Sequence, residues 1–341
     1  MNRIEVAAAI IRREGRILLC RRGEGGVCAN LWEFPGGKLE EGETPEICVK
    51  RECREELSVE IDVGPLYQQF DYAYPGKAIR FYFFEASLPS GEPRLQVHRE
   101  ARWLWPRELT QLDACPADKG LLDKLAGELP FGYYLWDFDG TLFDTYPRVA
   151  AAMQAAFADF GHAVAYDEML ALSKRSLAHA IAVLQNRFQS KIPNEELMSR
   201  YRFHEGGYSA QNAAPLYPGM RELLEEIVRR GGKHYLYTHR GLSSLEYLQG
   251  FGIAHLFAGS VTSQDAYPSK PAPDAILALM ARHRMDRGRV VMVGDRDIDI
   301  QAAWNAGAAG CLFDPGRFYD DFAVALRSDS VDGLGKLLLG E

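Results

Sequence analysis

The chain has 341 residues, 47% of them hydrophobic and 25% charged, with a formal net charge of −8. That length favours two domains of roughly 100 to 200 residues each, and the composition excludes a disordered, collagenous or coiled-coil chain. The acidic excess is shared evenly between the two halves, so neither is a basic nucleic-acid module.

Six cysteines (Cys20, Cys28, Cys48, Cys53, Cys115 and Cys311) fall at irregular spacings without a CxxC pair. This pattern indicates neither a zinc site nor a disulfide framework and fits a reducing, cytoplasmic compartment. The apolar run at residues 6–11 meets Arg12, Arg13 and Glu14 at once, too soon for a signal peptide or a membrane span. No membrane and no nucleic-acid polymer is expected as a partner.

In chain order, the runs IEVAAAIIR, RILLCRR and IRFYFFEA surround one helical stretch near residues 44–57, which predicts an α+β unit. The character then changes. FGYYLWDFDG reads as a buried strand followed by a turn, and the later strands KHYLYTH and RVVMVGD are separated by long helical patterns. That alternation predicts an α/β unit with a parallel, doubly wound sheet. The boundary falls near Pro130, giving domains at 1–129 and 130–341. From Asp144 to about Pro218 the periodicity is helical, which predicts a helical insertion at about 146–216 covering the sheet's active edge.

Thr44, Pro45 and Glu46 read as N-cap, first-turn proline and an acidic residue near the positive end of a helix. On that helix Glu52, Glu55 and Glu56 lie at i, i+3 and i+4 on one face, beside an apolar stripe of Val49, Cys53 and Leu57. Three like charges so close are either fully solvated or meet a cation, and oxygen ligands prefer magnesium or manganese to zinc. Just upstream, Gly36 and Gly37 let the backbone approach a ligand and offer a carbonyl to the same metal. Glu43 lies where it can hold Arg51.

The segment GKLEEGETPEICVKRECREELSV at 37–59 resembles the Nudix box through Gly37, Glu43, Arg51, Glu52, Glu55 and Glu56. It departs at Ser58, where the family usually has glycine, and carries Cys53 at the apolar position. Arg21–Arg22, Ala29–Asn30 and EFPGGK extend the resemblance to the MutT-type branch, which cleaves nucleoside triphosphates to monophosphate and pyrophosphate. The resemblance implies an α/β/α sandwich with a mixed sheet, in which Gly37, Glu52, Glu55 and Glu56 hold Mg²⁺, or Mn²⁺ in its place, with Glu43 and Arg51 as support. It further implies Glu100, in HREARWLW, as an extra ligand or base, Arg22 and Lys38 on phosphate or sugar, and Phe34 stacked on the base. Asp118, in CPAD, occupies the base-reading position. An ionised aspartate only accepts hydrogen bonds, which favours cytosine or guanine edges; the alternative role for Asp118 is the N-cap of a helix over KGLLDKL.

In LWDFDGTLFD, Asp137 and Asp139 stand at the C-terminal edge of a strand, just before the Gly140 turn, where ligands bind in open α/β sheets. Thr238, Lys270, Asp295 and Asp299 each fall where that edge converges, the last two at helical i, i+4 spacing. In this order the set resembles the four motifs of haloacid dehalogenase (HAD) superfamily phosphohydrolases. The helical insertion is similar to the cap of the phosphoglycolate phosphatase-like branch. The resemblance implies a Rossmann-like sheet, Asp137 as nucleophile through an aspartyl-phosphate, and Asp139 as acid and base. It also implies Thr238 and Lys270 on phosphate, and Mg²⁺ held by Asp137, Asp139, Asp295 and Asp299. His239, Arg240 and Asp297 read as ordinary rim residues.

Together the two resemblances imply a bifunctional Mg²⁺-dependent hydrolase acting on nucleoside triphosphates and small phosphoesters: triphosphate to monophosphate, then monophosphate to nucleoside. Two alternatives are an oxidised-dGTP hydrolase beside a metabolically separate phosphoglycolate-type phosphatase, and a chain in which one domain only senses nucleotide.

Overall fold

The computed structural model describes residues 4–74, 76–206 and 213–341. The expected insertion at 146–216 therefore includes six positions, 207–212, that lie outside the described residues. The first domain comprises β1 (Ile4–Arg13), β2 (Arg16–Arg21), β3 (Trp32–Glu33), β4 (Gly36–Lys38), α1 (Pro45–Leu57), β5 (Asp62–Tyr74), β6 (Lys77–Ser87), β7 (Glu100–Leu104) and α2 (Lys119–Ala126). Its sheet runs β3-β2-β1-β6-β5, with β4 also on β1 and β7 also on β2. It is mixed, because β1 lies parallel to β6 while its other pairings are antiparallel.

β1 is apolar on both faces because it is the middle strand of a sandwich. Ala7, Ala9 and Ile11 meet Cys48, Val49, Cys53 and Leu57 of α1, and Ala8 and Ile10 turn to the other side, toward Phe83 and α2 residues Leu121, Leu122 and Leu125. Period-two alternation along one strand thus supplies two cores. α1 begins where the sequence indicates, the Thr44 side chain accepting from the Ile47 N–H, and ends on Ser58 in the left-handed region at φ 55°.

The second domain follows with β8 (Tyr133–Trp136), four helices α3 (Tyr146–Ala158), α4 (Tyr166–Arg175), α5 (Leu177–Phe188) and α6 (Asn194–Glu205), then α7 (Met220–Arg229) and β9 (Lys233–Tyr237). It continues through α8 (Ser243–Gly250), β10 (Phe257–Val261), α9 (Asp274–His283), β11 (Val290–Gly294), α10 (Asp297–Asn305), β12 (Ala309–Phe313), β13 (Leu326–Ser328) and α11 (Val331–Leu339). The six strands are parallel in the order β10-β9-β8-β11-β12-β13. Helices cover both faces: α7, α8 and α11 share a core with Tyr134, Trp136, Leu236 and Val291, and α9 and α10 pack on Leu135, Tyr235 and Met292. α3 to α6 form a cap with its own core around Met153, Phe157, Met169 and Leu184. No helix among the described residues is long and apolar enough to cross a membrane.

Candidate functional site

In a parallel sheet the C-terminal ends of neighbouring strands bring distant segments together. β8 hands over to Asp137, whose N–H still donates to Val293 O at 2.9 Å; β9 ends before Thr238, and β11 ends before Asp295. Gly140 turns the chain at φ +73°, and a Cβ there would lie 2.6 Å from Asp295 Oδ2, so only glycine fits. Asp295 precedes α10 rather than riding on it. Asp299, in the first turn, accepts from Arg296 N–H at 3.1 Å.

Asp137, Asp295 and Asp299 are all buried, and one carboxylate oxygen from each lies within 4.8 Å of the others. Lys270 Nζ sits 2.6 Å from Asp137 Oδ1 and 2.7 Å from Asp299 Oδ1. Both Asp295 oxygens and Asp299 Oδ1 lack a hydrogen-bond partner, although Lys174 Nζ forms an ion pair with Asp295 Oδ2 at 3.0 Å. Three buried oxygen donors short of partners suit a hard divalent cation. Burial pushes the Asp137 carboxyl up, against the pull of Lys270; Lys270 and Arg296 outweigh burial at Asp299 and hold it down.

A cavity of about 400 Å³ opens beside this cluster, lined by Asp137, Asp139, Tyr146, Thr238, His239 and Arg240 among others. Asp139 stands outside the buried cluster and is held by Arg240, Nη2 to Oδ1 at 2.7 Å and Nε to Oδ2 at 3.3 Å. His239 Nε2 takes the Lys270 backbone N–H at 3.0 Å. An amide N–H only donates, so Nε2 carries the lone pair and the ring proton sits on Nδ1. The sequence alone marks Arg240 as an ordinary rim residue and does not mark Lys174. The signal for Lys174 was a lysine on the buried side of a cap helix, where its ammonium lies over the Tyr146 ring at 4.6 Å.

In the first domain, α1 carries its carboxylates toward the β4 strand. Arg51 binds Glu43 through two contacts of 3.0 Å, Glu52 at 2.9 Å and Glu55 at 3.1 Å, and also donates to Lys38 O. The Arg51 bonds hold the Glu43 carboxyl at about 2. Glu56 accepts from Gly36 N–H at 3.1 Å, and its burial pushes the carboxyl up to about 7. Gly36 is at φ +153°, and a Cβ there would meet Ala7 O at 2.2 Å; at Gly37 it would meet Glu52 Oε1, also at 2.2 Å. Among the described residues, Glu52, Glu55 and Glu56 do not converge as the second domain's aspartates do, because Arg51 draws Glu52 and Glu55 to itself. Gly37 O accepts weakly from the Cys48 thiol.

A second cavity, about 360 Å³, is lined by Arg22, Glu33, Gly37, Lys38, Phe81 and Asp118 among others. Glu33 is its hub, bound by Arg22 at 2.7 Å and by His98 Nε2 at 3.0 Å. Asp118 stands at the N-cap position of α2, but its side chain makes no cap bond; burial, with Glu33 nearby, raises its pKa well above the usual carboxylate range. Phe34 is 3% exposed and meets Phe83 edge-on at 5.5 Å; it faces the α2-side core, and the cavity's aromatic lining comes from Tyr74 and Phe81. Glu100 is held by Arg102 at 2.6 Å and paired with Arg21 at 3.6 Å, and among the described residues it belongs to no cluster of metal-ligating groups.

Residues 1–125 match the NUDIX domain family and residues 134–312 match the family described as "Haloacid dehalogenase-like hydrolase". The first part is similar to an 8-oxo-dGTP diphosphatase of Haemophilus influenzae, at 40% identity over 126 residues, 37% of this chain and 93% of that one. It is also similar to a CTP pyrophosphohydrolase of Escherichia coli, at 38% over 125 residues, 36% and 91% of the two chains. The second part is similar to a phosphoglycolate phosphatase of Vibrio parahaemolyticus, at 32% over 212 residues, 60% and 92% of the two. Each relative is matched over nearly its whole length by one part of this chain. The chain therefore belongs to two hydrolase families at once: a NUDIX domain of the MutT-like kind, continued by a haloacid dehalogenase-like hydrolase domain of the phosphoglycolate phosphatase-like branch.

Proposed function

We propose that the chain is a bifunctional nucleotide hydrolase, dividing near residues 129 and 130, with its cap at about 146–216. The first domain cleaves a nucleoside triphosphate, a damaged or modified one included, to monophosphate and pyrophosphate; the second removes the remaining phosphate. The observation that carries the second half is the buried cluster of Asp137, Asp295, Asp299 and Lys270, with Asp139 and Thr238 at the mouth of one cavity.

In that cavity Asp137 attacks phosphorus through Oδ2, since Oδ1 is taken by Lys270, and the leaving oxygen departs as the aspartyl-phosphate forms. Asp139, entering as the carboxylic acid, gives that oxygen its proton and then takes one back from the water that releases phosphate, and Arg240 steadies the carboxylate between the two steps. Thr238 accepts from Arg240 N–H at 3.0 Å, leaving its hydroxyl proton for a phosphoryl oxygen; Lys270 balances the charge. A divalent cation on Asp137, Asp295, Asp299 and the Asp139 carbonyl would neutralise phosphoryl charge.

The same need for Mg²⁺ or Mn²⁺ is proposed for the first domain, on the family resemblance and the gathered Glu52, Glu55 and Glu56; no step is routed through it. Arg22 and Lys38 line the nucleotide cavity on the phosphate side. Asp118 is the candidate base reader, and as a carboxylate it accepts from a base edge rich in N–H donors. The relatives, named for 8-oxo-dGTP and CTP at nearly equal identity, leave the choice of base to a direct assay.

The test is a product panel. Wild-type protein with Mg²⁺ and a set of triphosphates should accumulate nucleoside, pyrophosphate and phosphate, and Asp137→Asn should stop at monophosphate. Identical products from both proteins on every triphosphate would end the sequential reading. A phosphatase that serves an unrelated phosphoester would be recognised by turnover of that ester alone.

A further inference from the structure

The domains meet through the ends of both sheets that lie away from the cavities. β1 passes Gly37 at Ala7 and reaches the contact at Arg12, about 17 Å further along at the usual rise per strand residue. β2 and β7 repeat this polarity: Arg21 and Glu100 pair at the cavity end, Ile17 and Leu104 at the contact end. In the second domain Gly132 and Arg289, joined by a 2.9 Å backbone bond, stand just before β8 and β11, whereas Asp137 and Asp295 stand just after them. That is another span of about 17 Å.

The contact is largely buried and charged. Arg12, 1% exposed, binds Glu85 at 2.8 and 3.0 Å and Glu128 at 3.0 Å. Glu128 also takes Arg289 at 3.1 Å and the Tyr67 hydroxyl at 2.7 Å. The β1–β2 turn is pressed on the second domain so closely that a Cβ on Gly15 would lie 2.9 Å from both Pro130 and Phe131. Trp105 packs into the second domain's core. The cavity left between the domains, about 240 Å³, is lined by Arg12, Arg13, Arg287 and Trp304 and by none of the candidate site residues.

We propose that the two sites work back to back. They open at opposite ends of a molecule whose middle is a buried charge network, so the monophosphate leaves the first site into solvent and enters the second from there. This rests on the sequential reading above. Triphosphate and water give monophosphate and pyrophosphate; the monophosphate diffuses; then monophosphate and a second water give nucleoside and phosphate. Fusion keeps the two activities at equal amounts without a tunnel, and tethering helps a transfer only where geometry lets both sites engage the same molecule.

Isotope dilution tests this on the wild-type protein. It receives labelled triphosphate with about a tenfold excess of the unlabelled monophosphate, and the label in the nucleoside should fall about tenfold. Nucleoside at the full specific activity of the triphosphate would overturn the back-to-back scheme and leave the sequential reading standing. No dephosphorylation of either monophosphate would overturn the sequential reading, and this inference with it.

Discussion

His234 is a buried imidazole whose Nδ1 accepts from Trp136 Nε1–H at 2.9 Å, so Nε2–H donates to Leu224 O at 2.9 Å. Burial lowers its pKa from 6.5 to about 4. The unfolded chain takes up a proton near 6.5 and the folded chain only near 4, so this contribution is whole above 6.5 and is lost as pH falls through that window. It amounts to roughly 3 kcal/mol. Urea unfolding across the window should show the loss shrinking by that amount in His234→Gln, whose amide does not titrate. At Gly37, alanine would drive a Cβ into Glu52; displacement of a catalytic group by about 1 Å costs on the order of 100-fold. Pyrophosphate release by Gly37→Ala should fall that far with phosphatase activity retained; unchanged release would detach Glu52 from the reaction. Asp137, Asp295 and Asp299, which the structure gathers at one buried point, were legible in the sequence through the motifs that resemble a known family. The upward shift of the Asp118 pKa and the Arg240 clamp on Asp139 were not, since the one depends on burial and the other on a residue about a hundred positions away.

α1 shows how far an element can be read on its own. Its cap, its proline and its carboxylate face are all local features, and so is its ending on Ser58. The left-handed turn there costs a non-glycine residue about 1 kcal/mol. Ser58→Gly should raise the unfolding free energy measured in urea by up to that amount, less the exposed bond Ser58 accepts from Gln96; a lower free energy would mean the Gln96 bond outweighs the strain. β5 is the counter-example. Its first half has an irregular burial pattern and two register shifts against β6, so period-two reasoning fails there, although residues 69–74 alternate strictly. Asp295 and Asp299 were expected on one helix by spacing. The helix starts two residues after Asp295, because Asp299 caps its own N-terminus through Arg296 N–H.

At the scale of the whole molecule, Glu128 joins the two halves, taking Arg12 of its own domain and Arg289 of the second. Arg12→Ala leaves Glu85 buried without its cation, a change that costs about 3–5 kcal/mol. Calorimetry should show one unfolding transition in the wild type dividing into two in the variant. Both activities should survive in the folded variant, because each site stands about 17 Å from the contact. A single transition of unchanged midpoint would show that the network does not couple the domains. By itself the chain's sequence pointed to the two hydrolase families and their fold classes, since the runs, caps, turns and carboxylate spacings that carry the resemblance act over a few neighbouring residues. Tertiary structure alone decided which aspartates share one buried point, which arginines restrain them and which way the sites face. Those depend on burial and on contacts between residues scores of positions apart, and the residues that make them, such as Arg12, look from the sequence like any charge beside a strand.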